Sequence, residues 1–235
     1  MNINANGLHY KELNKKIKEC NIDLTIDNVL GQRFLCSGLS DNTIILNGIP
    51  GNALGSYLDG AKLVVNGNVQ DAVGDTMNAG SIIIHGNAGD TLGYAMRGGE
   101  IFVRGNAGYR TGIHMKEFQN KKPIIIIGGN VGSFLGEYLA GGLIIILNLN
   151  NEDSIVGNFT GTGIHGGKIL LRTPSLNTTF PEQVYSSEAT NEDLEEISPY
   201  LKRYCIEFDF NYDMIINSIF HKLVPNQSNP YKKLY

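Results

Sequence analysis

Apolar residues in the middle of the chain fall in short runs, each followed closely by glycine. Ile44-Ile45-Leu46 precedes Gly48, Leu63-Val64-Val65 precedes Gly67, Ile82-Ile83-Ile84 precedes Gly86, Ile101-Phe102-Val103 precedes Gly105, and Ile124 to Ile127 precedes Gly129. The first four of these glycines are 19 residues apart, and Gly55, Gly74, Gly93 and Gly112 follow seven positions behind with the same period. Short, β-branched, glycine-bounded runs predict strands rather than helices. A strand, crossover helix and return strand need about 30 residues, so a 19-residue unit is too short for them. It fits one coil of an all-β solenoid, a parallel β-helix whose coils stack about 4.8 Å apart with like residues in columns.

The columns support this fold. Asn68, Asn87, Asn106 and Asn130 follow the first glycine of each coil, a ladder of amides able to hydrogen-bond along the stack. Leu58, Met77, Met96, Met115 and Leu139 form an apolar, inward column, with methionine as core filler rather than ligand. The diglycines Gly98-Gly99, Gly141-Gly142 and Gly166-Gly167 read as coil corners, because none opens a helix as a phosphate loop must. Between Gly105 and Gly129 the step grows to 24, placing a five-residue surface insertion around Phe118 to Pro123. Six to seven coils over residues 28–173 are expected.

The flanks predict closure of the stack. Residues 1–27 are expected as a capping segment, with Tyr10, Leu13, Ile17 and Cys20 on one helical face. Residues 174–235 are expected as a helical arm. Its first helix starts near Asn191 and is split by Pro199, a second spans about Tyr212 to Leu223, and an extended tail runs from Pro225 to Tyr235.

Charge then narrows the partners. With 19 basic and 23 acidic residues the net charge is -4, which argues against nucleic acid. No apolar stretch reaches transmembrane length and Met1 to Gly7 is polar, so neither a membrane nor secretion is called for and a cytoplasmic location is expected. Cys20, Cys36 and Cys205 have neither disulfide nor metal spacing, so no metal site is expected on this chain.

Candidate chemistry is crowded between residues 71 and 117: Asp71, Asp75, His85, Asp90, Arg97, Arg104, Arg110, His114, Lys116 and Glu117. Stacking places Asn66, His85 and Arg104 in one column, Asn52, Asp71 and Asp90 in another, and Asp59, Asn78, Arg97 and Lys116 in a third. Such a face reads first as structural or as a docking surface. Its alternative use, by an independent enzyme or small-ligand binder, centres on Asp90 and Arg97. His165, alone between glycines, reads as a turn residue.

Several segments carry a resemblance beyond the glycines. Gly67 to Asn78, His85 to Asp90, Tyr94 to Gly99, Gly112 to Glu117, Phe134 to Tyr138 with Ala140-Gly141-Gly142, and Gly161 to Gly167 resemble the GXGXG domain at the C-terminus of the glutamate synthase large subunit. The resemblance covers about residues 22–173. It implies a right-handed, single-stranded parallel β-helix acting as a non-catalytic scaffold in glutamate synthesis. Glutamine amidotransferase-like and FMN-binding chains would be its partners, with FMN and an iron-sulfur cluster on those chains and no cofactor on this one. No catalytic residue carries over. A related β-helix, that of formylmethanofuran dehydrogenase, is the alternative scaffold, and an open end of the stack would also allow homo-oligomers.

Overall fold

The computed structural model describes residues 1–226, so the expected tail lies, from residue 227 on, outside the described residues. The chain opens with β1 (Asn2–Asn4), α1 (Tyr10–Glu19) and β2 (Leu24–Leu30). The repeat follows as β3 (Thr43–Ile49), β4 (Asp59–Asn66), β5 (Ala79–Ile84), β6 (Glu100–Val103), β7 (Ile124–Ile127), β8 (Ala140–Ile146) and β9 (Gly166–Arg172). Beyond it come β10 (Val184–Glu188), α2 (Asn191–Phe208), α3 (Tyr212–Ile216) and β11 (Phe220–Pro225).

Strands β1 to β9 pair in parallel and in sequence order, so the chain is a parallel β-solenoid. Nine strands make about eight turns, slightly more than the six to seven expected. The extra turn lies at the start, where β1 pairs with β2 and α1 replaces the glycine-rich return between them. Ile44, Leu63, Ile82, Ile101, Ile125, Ile144 and Ile169 align in one buried column down the sheet. The expected Leu58, Met77, Met96, Met115 and Leu139 column is also fully buried. Phe118 and Lys121 exchange backbone hydrogen bonds across the inserted hairpin, which is exposed as expected.

Opposite the sheet, each coil returns through a turn in which alternate residues take positive φ. Between β5 and β6 these are Thr91 (φ 56), Gly93 (φ 67) and Ala95 (φ 50). Their N–H groups alternate in direction: Thr91 and Ala95 donate to Tyr109 and Ile113 of the next coil, and Gly93 to Val73 of the previous one. The central residue must be small, because a Cβ on Gly93 would stand 2.5 Å from Ile125 Cδ1. The outer two are half-buried and have room for side chains, at a conformational cost of about 1–2 kcal/mol each.

Helix α2 builds a second core on the outer face of the sheet. Ile197, Leu201, Tyr204 and Phe208 pack there with Ile83, Phe102, Ile126, Ile145 and Leu170. That cover explains why β7 is buried at every position whereas β3 alternates. Tyr204 Oη donates to the Val103 carbonyl at 3.1 Å, and Gly128 lets it approach, since a Cβ there would lie 2.4 Å from that hydroxyl.

Two expectations about this arm are corrected. Asn191–Phe208 is one helix with Pro199 inside it, because the apolar stripe on the sheet outweighs a helix-interior proline penalty of about 3 kcal/mol. The second helix stops at Ile216. Phe220–Pro225 is a strand, antiparallel to β9, that pairs the otherwise open sheet edge and is itself flanked by β10.

Candidate functional site

The ten charged candidates are distributed around the coil. Asp71 and Asp90 belong to the corner: Asp71 Oδ1 accepts from the Asp90 N–H at 2.9 Å, and Asp90 Oδ1 from the Tyr109 N–H at 2.8 Å. Asn68, Asn87 and Asn106 do the same for the backbone N–H of Asn87, Asn106 and Asn130. Gly105 leaves room for this ladder, since its Cβ would meet Asn87 Oδ1 at 2.2 Å. Asp75 accepts from the Thr76 hydroxyl at 2.8 Å, and Glu117 Oε1 from the Gly142 N–H at 3.0 Å.

His85 and Arg104 sit on the outer sheet face beside the C-terminal arm. The His85 ring meets Phe208 edge-on at 5.1 Å, and Arg104 lies over Phe210 at 5.7 Å. Burial, followed by the charge of Arg104, holds the His85 pKa below the usual value, and Glu207 opposes this. Arg97 and Lys116 are exposed, and their backbone N–H groups donate to the Met77 and Met96 carbonyls of the coils before them. His165 Nδ1 lies 2.9 Å from the Gly163 carbonyl, a local turn contact.

Arg110 and His114 occupy the outward positions of the turn arc, at φ 57 and 55. There they join a set of aromatic residues that the charge-based reading passed over. The Arg110 guanidinium lies 4.9 Å over Phe134, whose ring stacks on Phe159 at 5.0 Å. In the parallel row Tyr94 meets His114 at 5.9 Å and His114 stacks on Tyr138 at 5.0 Å. Tyr138 in turn covers Gly163, where a Cβ would stand 2.4 Å from its ring. Phe134, Tyr138 and Phe159 all have positive φ, so the exposed rings of Tyr138 and Phe159 and the half-buried ring of Phe134 are held in a conformation that favours glycine. Between the rows Glu137, 9% exposed, accepts from Arg110 Nε at 3.1 Å. A sequence signal was present: these aromatic residues lie two positions before or after the second-column glycines Gly136 and Gly161.

A charged girdle fastens the arm. Lys168 and Lys222 both bond Asp193, Lys168 also reaches Glu196 at 2.8 Å, and Lys122 from the inserted hairpin pairs with Glu196. Burial alone would raise the Asp193 pKa, but the bonds from Lys168, Lys222 and Thr190 hold it well below the usual carboxylate range. Glu196 is lowered in the same way by Lys122 and Lys168.

At the C-terminal end a cleft of about 350 Å³ is lined by Asn148, Glu152, Arg172, Thr173 and Ser218 among others. Arg172 spans it, donating to the Leu147 carbonyl and Ser218 Oγ. Burial pushes the thiols of Cys36 and Cys205 up to about 12 and about 11, which suits packing rather than reactivity. No helix among the described residues is long and apolar enough to cross a membrane.

The family described as "GXGXG motif" matches residues 6–228. Protein MJ1350 of Methanocaldococcus jannaschii is 45% identical across 99% of this chain and 95% of its own length. A chain of the formyltransferase/hydrolase complex FhcABCD from Methylorubrum extorquens, solved with methylofuran, superposes with a TM-score of 0.65. The two are 18% identical, and the match covers 87% of this chain and 78% of that one.

Proposed function

The chain belongs to the GXGXG motif family, and on that premise we propose that it is a non-catalytic scaffold subunit of a glutamate synthase-type complex. Its partners on this reading are glutamine amidotransferase-like and FMN-binding chains in the cytoplasm. FMN and the iron-sulfur cluster belong to those chains. The observation that carries the scaffold reading is the use made of the corner carboxylates. Asp71 and Asp90 each direct an oxygen to the backbone of the next coil, so the residues best placed for acid-base work are employed in holding the stack together.

A second reading rests on one comparison. The likeness to a chain from a formyltransferase/hydrolase complex favours a scaffold of the formylmethanofuran dehydrogenase type. Both readings make the chain a subunit and differ in the company it keeps.

Gentle affinity purification from the native cell, with mass identification and absorbance spectroscopy, separates them. Co-purification of amidotransferase-like and flavin-bearing chains, with glutamate formed from glutamine and 2-oxoglutarate, is the expected result. Recovery of formyl-transferring chains instead would select the second reading. Recovery of the chain alone, with a metabolite bound near Asp90 and Arg97, would overturn both.

A further inference from the structure

The aromatic rows on the turn arc are more than decoration of a solenoid. Tyr138 and Phe159 are 45% and 56% exposed and hold positive φ, so burial in this chain does not account for them. Exposed aromatic rings beside arginine are the composition of interface anchors. We infer that this face docks a partner subunit through an acidic side chain set among apolar ones, an inference that rests on the scaffold reading above.

Arg110 identifies the chemistry. Its plane is fixed twice, by the bond from Nε to the buried Glu137 and by the Phe134 ring beneath it. Its side chain is nevertheless 47% exposed, and its Nη donors have no protein acceptor among the described residues. A guanidinium oriented in advance with free terminal donors is suited to a carboxylate, which it binds in a fork at little further cost in side-chain freedom. The rings of His114, Phe134, Tyr138 and Phe159 supply flat apolar surface around it. Charge localises the contact. The molecule as a whole is acidic, with a net charge of -4, and would repel an acidic partner. Arg97, Arg110 and Lys116 concentrate cationic side chains in the coils that carry the rings.

The purified complex tests this. A photo-crosslinking residue is placed at Phe159 and, as control, at Ile206, which is 80% exposed on the other side of the molecule, on α2. Partner affinity is measured for Arg110→Gln and Phe159→Asn. Asparagine suits the positive φ at position 159, so that variant should keep the melting temperature of the isolated chain while losing at least tenfold in affinity. Cross-links from position 159, but not 206, to an acidic segment of another chain are expected, with a tenfold loss for Arg110→Gln. Cross-links to a second copy of this chain, or affinities within twofold for both variants, would overturn the docking face while leaving the scaffold reading intact. A sharply lower melting temperature for Phe159→Asn with unchanged binding would overturn it too, by assigning the rings to stability. If the native chain has no partner at all, the scaffold reading itself falls.

Discussion

At the scale of single residues, two kinds of glycine answer to two different constraints. Gly86, Gly105 and Gly129 make room for the asparagine oxygen of the coil before, whereas Gly93 and its column combine positive φ with contact to an inward isoleucine. Gly93→Ala therefore adds backbone strain to overpacking against Ile125 and should destabilise the chain by about 2–4 kcal/mol, read as a lower urea midpoint. Ala95→Gly, at φ 50, relieves this strain but gives the unfolded chain comparable extra conformational freedom, so the midpoint should change little. The glycine rhythm is legible in the sequence because the second-column glycines meet the equivalent isoleucine in coil after coil. The role of Asp71 and Asp90 was not, because a carboxylate that serves the adjacent backbone has the same spacing as one that serves a substrate. The aromatic rows are hidden for a related reason: conformational strain at Tyr138 and Phe159 is a property of φ, which side-chain identity alone does not reveal.

At the scale of elements, the arm is held by both a stripe and a girdle. Ile197, Leu201, Tyr204 and Phe208 were visible as helical periodicity, and the acidic start of α2 as a capping signal, realised by Thr190 and Asp193. The end of the arm reads as helix in the sequence because Ile215, Ile216, Ile219, Phe220 and Leu223 also fit a helical spacing. The competing claim of an open β9 edge lies outside any local window. Asp193→Ala strips two half-buried lysines of their shared partner and should cost about 3 kcal/mol. Acid should act on the same contact. Asp193 and Glu196 have folded pKa values below their unfolded ones, so their contribution is complete above about pH 5 and is lost as pH falls through the folded values. His85, also lowered on folding, adds an earlier decline beginning near its unfolded pKa of about 6.5. Urea midpoints taken from pH 7 to pH 3 should fall in this order, and Asp193→Asn should flatten the acidic limb.

At the scale of the whole molecule, the solenoid buries several columns of side chains, those of Leu63 and Met77 among them, and turns its remaining side chains outward. The second core under α2 covers the outer face of the later strands, and the turn arc is left with its rings exposed. On the proposed reading, a protein arranged in this way acts by what it holds. The central claim is that this chain supports a reaction without taking part in its chemistry. The most direct measurement is the turnover of the reconstituted complex carrying Asp71→Asn, Asp90→Asn and Arg97→Gln together, substitutions that keep hydrogen-bonding capacity while removing charge. Turnover within about twofold of the native complex is the predicted result, the acceptors at residues 71 and 90 still serving the coil above. A loss of a hundredfold or more with the complex fully assembled, equivalent to about 2.7 kcal/mol of transition-state stabilisation, would contradict the account and return these residues to the chemistry.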